Sequence, residues 1–169
     1  MRFIAQFSLA PELFGDLSVQ MAYVFMTDEE TYVDGTWLPD GEENAVILQP
    51  DRWDDSMAII TDDMPHQEEH YLTEYEVILH PDEDPDYLDE EEYRQRGDWK
   101  SFLSKVYESK IGGTPAFLQY PEYPDAGKWV LIAQLASTLL PNELNFGDSG
   151  VGYVFLSESG ERAKFLWQG

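Results

Sequence analysis

Residues 3–6 read Phe-Ile-Ala-Gln, and residues 131–134 read Leu-Ile-Ala-Gln. Each motif is followed by a Phe-Gly-Asp sequence and then by Tyr-Val-Phe, at residues 23–25 and 153–155. The three motifs therefore occur twice in one order, about 130 residues apart. Short apolar runs rich in β-branched and aromatic residues are typical of strands. The repeat thus predicts a strand, a turn and a second strand, used twice in one fold.

The repeat signature is a glutamine, a glycine and an aspartate in each copy: Gln6, Gly15 and Asp16, then Gln134, Gly147 and Asp148. A buried side-chain amide must find hydrogen-bond partners. We therefore expect both glutamines to be buried and to tie neighbouring strands together, with contact to a ligand as the alternative. The glycines supply the backbone freedom that a turn requires.

Between the two copies the sequence predicts further strands at residues 44–48, 57–60 and 75–80. From Trp99 onward, apolar residues recur at the i, i+3, i+4, i+7 and i+8 positions of one helix face. Asp98 suits the N-cap and the glycine pair at 112–113 suits the end, which predicts an amphipathic helix at about 98–110. The fold class is therefore α+β, mainly antiparallel sheet, built from two related halves about a pseudo-twofold axis.

The chain has 169 residues, which is the size of a single domain. Within it, the first repeat copy covers about residues 1–30. An acidic insertion covers about 28–98, and the helix with the second copy covers about 98–169.

Negative charge is concentrated in that insertion. The chain has 34 acidic and 10 basic residues, a net charge of −24, and residues 28–98 hold 25 acidic and 3 basic residues, a net of −22. Binding to a phosphate backbone needs Lys and Arg patches, so this class of partner is excluded. A field of this sign favours a basic protein partner, and a solubilising surface is the alternative.

The densest negative stretch is residues 82–92, which we call the acidic segment. Repulsion between its carboxylates, together with Pro81 and Pro85, predicts an extended and solvated loop. The candidate partner-binding residues are its acidic side chains: Asp82, Glu83, Asp84, Asp86, Asp89, Glu90, Glu91 and Glu92.

Several other function classes lack the residues they need. The chain has no cysteine, which excludes disulfides, a thiol nucleophile and cysteine-ligated zinc. No apolar run reaches the roughly 20 residues of a membrane span, and the N-terminus makes a poor secretory signal, so a cytoplasmic location is expected. His66 and His70 match the H-x-x-E-H pattern of inverted zinc peptidases. That chemistry requires a helix, whereas Pro65 precedes the motif, so a metal site there is the least favoured alternative.

The duplicated turns allow a different alternative. If the halves pack about a twofold axis, the carboxylates of Asp16 and Asp148 could converge, and paired carboxylates can divide acid and base roles in an enzyme or a small-ligand site. Asp beside Gly is also ordinary turn chemistry. We therefore expect a non-enzymatic protein without a cofactor or a bound metal.

The second half resembles a known bacterial family. The segment Lys-Ile-Gly-Gly-Thr-Pro at residues 110–115, the strand ending at Gln134 and the Gly-Asp-Ser-Gly turn at 147–150 are similar to the YwqG-like family, whose function is unknown. This resemblance implies a β-rich fold of two related halves. It also implies distant kinship with the programmed-cell-death-two proteins, which are chaperones of a ribosomal protein. Some bacterial relatives are proposed as immunity proteins in toxin loci.

The resemblance carries over no catalytic residue, because the family has none established. The cysteine clusters of the eukaryotic relatives are missing here, which argues against a metal-linked role. The sequence therefore predicts a cytoplasmic module that binds a basic protein: a ribosomal protein, a toxin or a DNA-binding protein.

Overall fold

A computed structural model describes residues 1–27, 33–50, 77–86, 88–139 and 144–169 of the chain. Within these ranges there are two antiparallel sheets, one with the order β1-β2-β3 and one with the order β4-β5-β6-β7. The strands are β1 Arg2–Ser8, β2 Met21–Met26, β3 Asn44–Gln49, β4 Lys110–Ile111, β5 Trp129–Ala136, β6 Val151–Ser157 and β7 Ala163–Gln168. The helices are α1 Pro11–Phe14, α2 Glu90–Gln95 and α3 Trp99–Val106, with a 3₁₀ turn at Ser137–Leu139. The predicted α+β class with mainly antiparallel sheet is confirmed.

The internal repeat extends to the register of the strands. Gln6 lies opposite Tyr23 in the β1–β2 pair, and Gln134 lies opposite Tyr153 in the β5–β6 pair. In both pairs the register skips the isoleucine of the Ile-Ala-Gln motif, so the same β-bulge occurs at the same place. Bulges are specific features of a strand pair, and a shared one identifies the two hairpins as copies of one unit.

The repeat also includes a third strand in each half. β3 pairs with β2 as β7 pairs with β6, so that Gln49 lies opposite Met21 and Gln168 lies opposite Val151. β3 falls inside the stretch interpreted as an acidic insertion, yet it completes the first sheet. β4, which pairs with β5, has no counterpart on β1 among the described residues.

The two sheets enclose a shared core. Alternate residues of β2, namely Ala22, Val24 and Met26, pack with Val154, Leu156 and their neighbours on the second sheet. Because side chains alternate across a strand, the intervening residues of each strand lie on the outer face of its sheet. The fold is thus a sandwich with two outer faces, one on each sheet.

A second core covers one of these outer faces. Phe102 and Val106 of α3, together with Leu88 and Phe117, pack on Tyr153, Phe155, Leu166 and other outer residues of the second sheet. The predicted helix at about 98–110 is confirmed, although it ends at Val106 and residues 110–111 form β4. Asp98 occupies the N-cap position, where its backbone carbonyl, and not its side chain, accepts hydrogen bonds from the first turn.

Two local expectations were wrong. Part of the acidic segment is helical: α2 begins at Glu90, Asp89 caps it by accepting a hydrogen bond from the Glu92 amide, and i,i+4 pairs with Arg94 and Arg96 offset the repulsion. The strand expected at 75–80 is not formed over residues 77–80, which are exposed and irregular. The strand expected at 57–60 lies outside the described residues.

Among the described helices, none has the length and apolar character needed to cross a bilayer.

Candidate functional site

The side-chain amide of Gln134 links the outer face of the second sheet to the segment that covers it. Its Oε1 accepts a hydrogen bond from the Ala116 amide at 2.9 Å. Its Nε2 lies 2.8–3.0 Å from the carbonyl oxygens of Lys105, Val106 and Glu108, to which it donates. Gln134 is fully buried, and its side-chain amide gives a hydrogen-bond partner to carbonyls at the end of α3 and just beyond it. The expectation of a buried, structural glutamine is correct in this copy.

Tyr153 lies next to Gln134 and fixes the same covering layer. Its hydroxyl donates to the Ala116 carbonyl at 3.0 Å and accepts from the Leu118 amide at 2.9 Å. Burial raises the pKa of this phenol. The helix α3, the strand β4 and the segment that follows β4 thus form a single covering layer. This layer lies on the outer face of the second sheet and along the edge of β5.

The equivalent face of the first sheet is open. Gln6 is exposed there, so its predicted burial was wrong, and the reason is that no described element lies over this face. Phe3 is 44% exposed and Ile47 is 54% exposed, whereas the equivalent Leu131 and Leu166 are buried. Phe3 contacts Phe25 edge to face at 5.8 Å. The open face is therefore apolar and aromatic, with a polar amide on its edge strand β1.

The acidic segment is anchored to the body of the protein through Asp84. Its carboxylate contacts the Lys110 ammonium at 2.5 Å and accepts a hydrogen bond from the Thr114 amide at 3.1 Å. The Thr114 hydroxyl donates to the Pro85 carbonyl at 2.5 Å. Gly113 permits this approach: it has φ +76°, and a Cβ there would stand 2.4 Å from the Asp84 carboxylate. The conspicuous Lys-Ile-Gly-Gly-Thr-Pro sequence is therefore the socket of the acidic segment.

The charges in this socket perturb one another. Burial opposes ionisation of Asp84, but the hydrogen bond and charge of Lys110 outweigh it, and the pKa of Asp84 is lowered. Hydrogen bonding to Lys105 lowers the pKa of Asp82, and the same bond raises the pKa of Lys105. Asp84 is 10% exposed and Asp82 is 68% exposed, so the buried pair with Lys110 is the structural one.

The candidate partner-binding residues have divided roles. Asp82 and Asp84 pair with lysines, Asp89 caps α2, and Glu90 and Glu92 pair with arginines of their own helix. Glu83, Asp86 and Glu91 are exposed and have no ion pair with any residue in the described ranges; Glu91 accepts only a neutral hydrogen bond from Gln95. Three carboxylates without compensating charge thus stand on a segment of fixed position.

The glycines of the duplicated turns have the same φ, but the two turns lie at different places in the fold. Gly15 and Gly147 both have φ +74°, the left-handed value that glycine adopts readily. Leu17 contacts Gly160, just beyond the end of β6, whereas Gly147 lies beside Trp167, near the start of β6. A seven-residue strand spans about 20 Å.

Asp16 and Asp148, which follow those two glycines, are therefore at opposite ends of the second sheet, and both are exposed. A shallow groove of about 190 Å³ is lined by Asp16 and by Leu9, Pro11 and Leu17 among others, but not by Asp148. The two carboxylates accordingly do not form a common site.

His66 and His70 lie outside the described residues. In the described ranges there is no group of three or more His, Cys, Asp or Glu side chains arranged to hold a metal ion.

A protein-family model matches residues 14–164 of the chain, from the end of α1 to β7. The chain belongs to the family described as Domain of unknown function (DUF1963). The DUF1963 match includes the acidic segment, its glycine socket and the covering layer over Gln134. No curated protein and no solved structure was found to match the chain.

Sequence reasoning missed the anchoring pair of Asp84 and Lys110. Two signals were available: the adjacent glycines at 112–113 permit close backbone approach, and Lys110, which directly precedes them, is one of only 10 basic residues in a chain with 34 acidic ones. Neither signal alone identifies which of the many carboxylates fills the socket.

Proposed function

We propose that this DUF1963 protein is a non-enzymatic module of the cytoplasm that binds a basic protein. The observation that carries the proposal is the acidic segment, which is fixed to the body at Asp84 and Leu88 while Glu83, Asp86 and Glu91 remain exposed. A solubilising tail needs no anchor, whereas a recognition surface gains affinity when its charges are held in place before binding.

The chemistry of the partner follows from the sign and position of the charge. Electrostatic complementarity raises association rates and excludes acidic competitors. The resemblance to the YwqG-like family supports the same proposal and suggests its form: chaperoning of a ribosomal protein, or neutralisation of a basic toxin. A DNA-binding protein has the same chemistry. The duplicated aspartates form no shared site, so the enzyme alternative has less support.

The test is affinity capture from extract of the source organism at about 50 mM salt, followed by washes to about 300 mM. We expect enrichment of proteins of high isoelectric point that elute as salt rises. The decisive variant carries Glu83→Gln, Asp86→Asn and Glu91→Gln. Loss of three exposed charges at about 0.5 kcal/mol each corresponds to roughly tenfold weaker binding.

A matched control removes the same number of charges elsewhere, with Glu12→Gln, Asp16→Asn and Asp148→Asn, all of them exposed. This control should bind within about twofold of the wild type. If both triple variants lose binding equally, net charge alone is responsible and the acidic segment is only a solubilising surface. If nothing basic is captured, the proposal fails.

A further inference from the structure

On each outer face, three residues from three neighbouring strands lie side by side at equivalent register positions. On the second sheet the row is Gln134, Tyr153 and Leu166, and all three are buried. On the first sheet the corresponding row is Gln6, Tyr23 and Ile47, in which Gln6 and Ile47 are exposed. The fold thus builds one outer surface twice, and within the described residues only one of the two copies is covered.

The covered copy shows what such a surface receives. An amphipathic helix, α3, places Phe102 and Val106 on the sheet, and Gln134 binds the carbonyls at the end of that helix. The chain then pairs β4 with the edge of β5, Lys110 opposite Gln134. The equivalent edge on β1 has no strand beside it among the described residues. Open sheet edges of this kind are sites of β-strand addition.

We propose that the open face and the free edge of β1 bind a helix-then-strand segment of a basic protein partner. The helix would place an aromatic stripe on Phe3, Tyr23 and Ile47, its last carbonyls would accept hydrogen bonds from the Gln6 amide, and the following residues would pair with β1. This goes beyond the proposed function, because it concerns a different surface and names the form of the partner.

Charge in the loop that leads into β3 supports a basic occupant over a second copy of the chain. Residues 33–43, which lead into β3, contain four acidic residues and no basic one. Of these, Asp34 and Glu42 are exposed and have no ion pair with any described residue. Two copies of a chain of charge −24 repel each other, whereas a cationic helix is attracted to a chain of this charge.

The chain itself supplies a probe of the required form. A synthetic peptide of residues 98–118 contains α3, β4 and the segment through Leu118, with three lysines against two acidic residues. Fluorescence anisotropy of the labelled peptide, titrated with the intact protein at low salt, should show saturable binding. The same peptide with Phe102→Ser should bind at least tenfold more weakly, since the aromatic stripe supplies the apolar contact.

Variants of the protein locate the site. Ile47→Ser should weaken peptide binding about tenfold and Gln6→Ala about fivefold, because they remove an apolar contact and a hydrogen-bonding amide. Val130→Ser, at an exposed apolar position of β5, should change it less than twofold. None of these substitutions alters charge, so their outcome is separable from that of the acidic-segment variants. Circular dichroism confirms that each variant folds.

Three results would overturn the inference. One is the absence of saturable binding up to about 1 mM peptide. Another is an equal loss of binding in Val130→Ser and Ile47→Ser. The third is sedimentation of the protein as a dimer that Ile47→Ser dissociates, since a second copy would then be the occupant of the face.

Discussion

Removing the amide of Gln134 should destabilise the protein far more than removing the amide of Gln6. The two glutamines occupy the same register position in the two copies, so Gln134→Ala and Gln6→Ala change the same chemistry in the same kind of strand. They differ in surroundings: Gln134 is fully buried, and Gln6 is exposed.

The magnitude follows from the bonds that Gln134 makes. Truncation removes the acceptor for the Ala116 amide and the donor for the carbonyls of Lys105, Val106 and Glu108. Two to three lost hydrogen bonds contribute about 1 kcal/mol each, and a buried group that is left without a partner costs about a further 1–2 kcal/mol. We expect Gln134→Ala to lower the free energy of unfolding by about 3–5 kcal/mol and Gln6→Ala to change it by less than about 0.5 kcal/mol.

Urea denaturation followed by tryptophan fluorescence measures the difference. With an m-value of about 2 kcal/mol/M, the midpoint of Gln134→Ala should fall by about 2 M, and that of Gln6→Ala should stay within about 0.3 M of the wild type. A loss below about 1 kcal/mol in Gln134→Ala would refute the assignment of this amide as the link between sheet and covering layer. A comparable loss in Gln6→Ala would show that its face is covered in solution.

Two further pairs of variants test the socket of the acidic segment. Asp84→Asn leaves the nearly buried Lys110 without its anion and should cost about 2–4 kcal/mol of unfolding free energy by urea denaturation, whereas Asp82→Asn, at an exposed position, should leave the urea midpoint close to that of the wild type. Because the folded pKa of Asp84 is lowered from 3.8, the stability that its carboxylate contributes is present above that pH and is lost as the pH falls through the folded pKa. The difference in unfolding free energy between wild type and Asp84→Asn should therefore shrink between pH 6 and pH 3. A constant difference would contradict the assignment. Gly113→Ala should lower the thermal midpoint clearly more than Gly112→Ala. Both positions have a similar positive φ, but a Cβ at 113 would meet the Asp84 carboxylate, whereas a Cβ at 112 would meet open space. Equal shifts of the thermal midpoint would mean that backbone strain alone explains both.

The sequence predicted the duplicated hairpins because they are determined locally. Alternating apolar residues and turn glycines specify a strand pair regardless of what lies outside it, and the repeated motifs gave the pairing. β3 was placed in the insertion because its residues share little with β7 beyond a final glutamine, at Gln49 and Gln168. Only the register shows that the two strands are equivalent.

The different fates of Gln6 and Gln134 could not be predicted. The local sequence is similar around both, and burial depends on whether a distant segment folds back over the sheet. The helix in the acidic segment was missed for a similar reason. The cap from Asp89 and the pairs with Arg94 and Arg96 offset a repulsion that residue counting treats as uncompensated.

Hydrogen exchange of the side-chain amides of Gln6 and Gln134, measured by NMR on ¹⁵N-labelled protein, tests most directly that the same outer surface is built twice and that the described part of the chain covers only one copy. The Gln134 amide hydrogens should exchange at least about a hundredfold more slowly than those of Gln6, since they are released only when the covering layer opens. Equal exchange rates at the two glutamines would contradict the account.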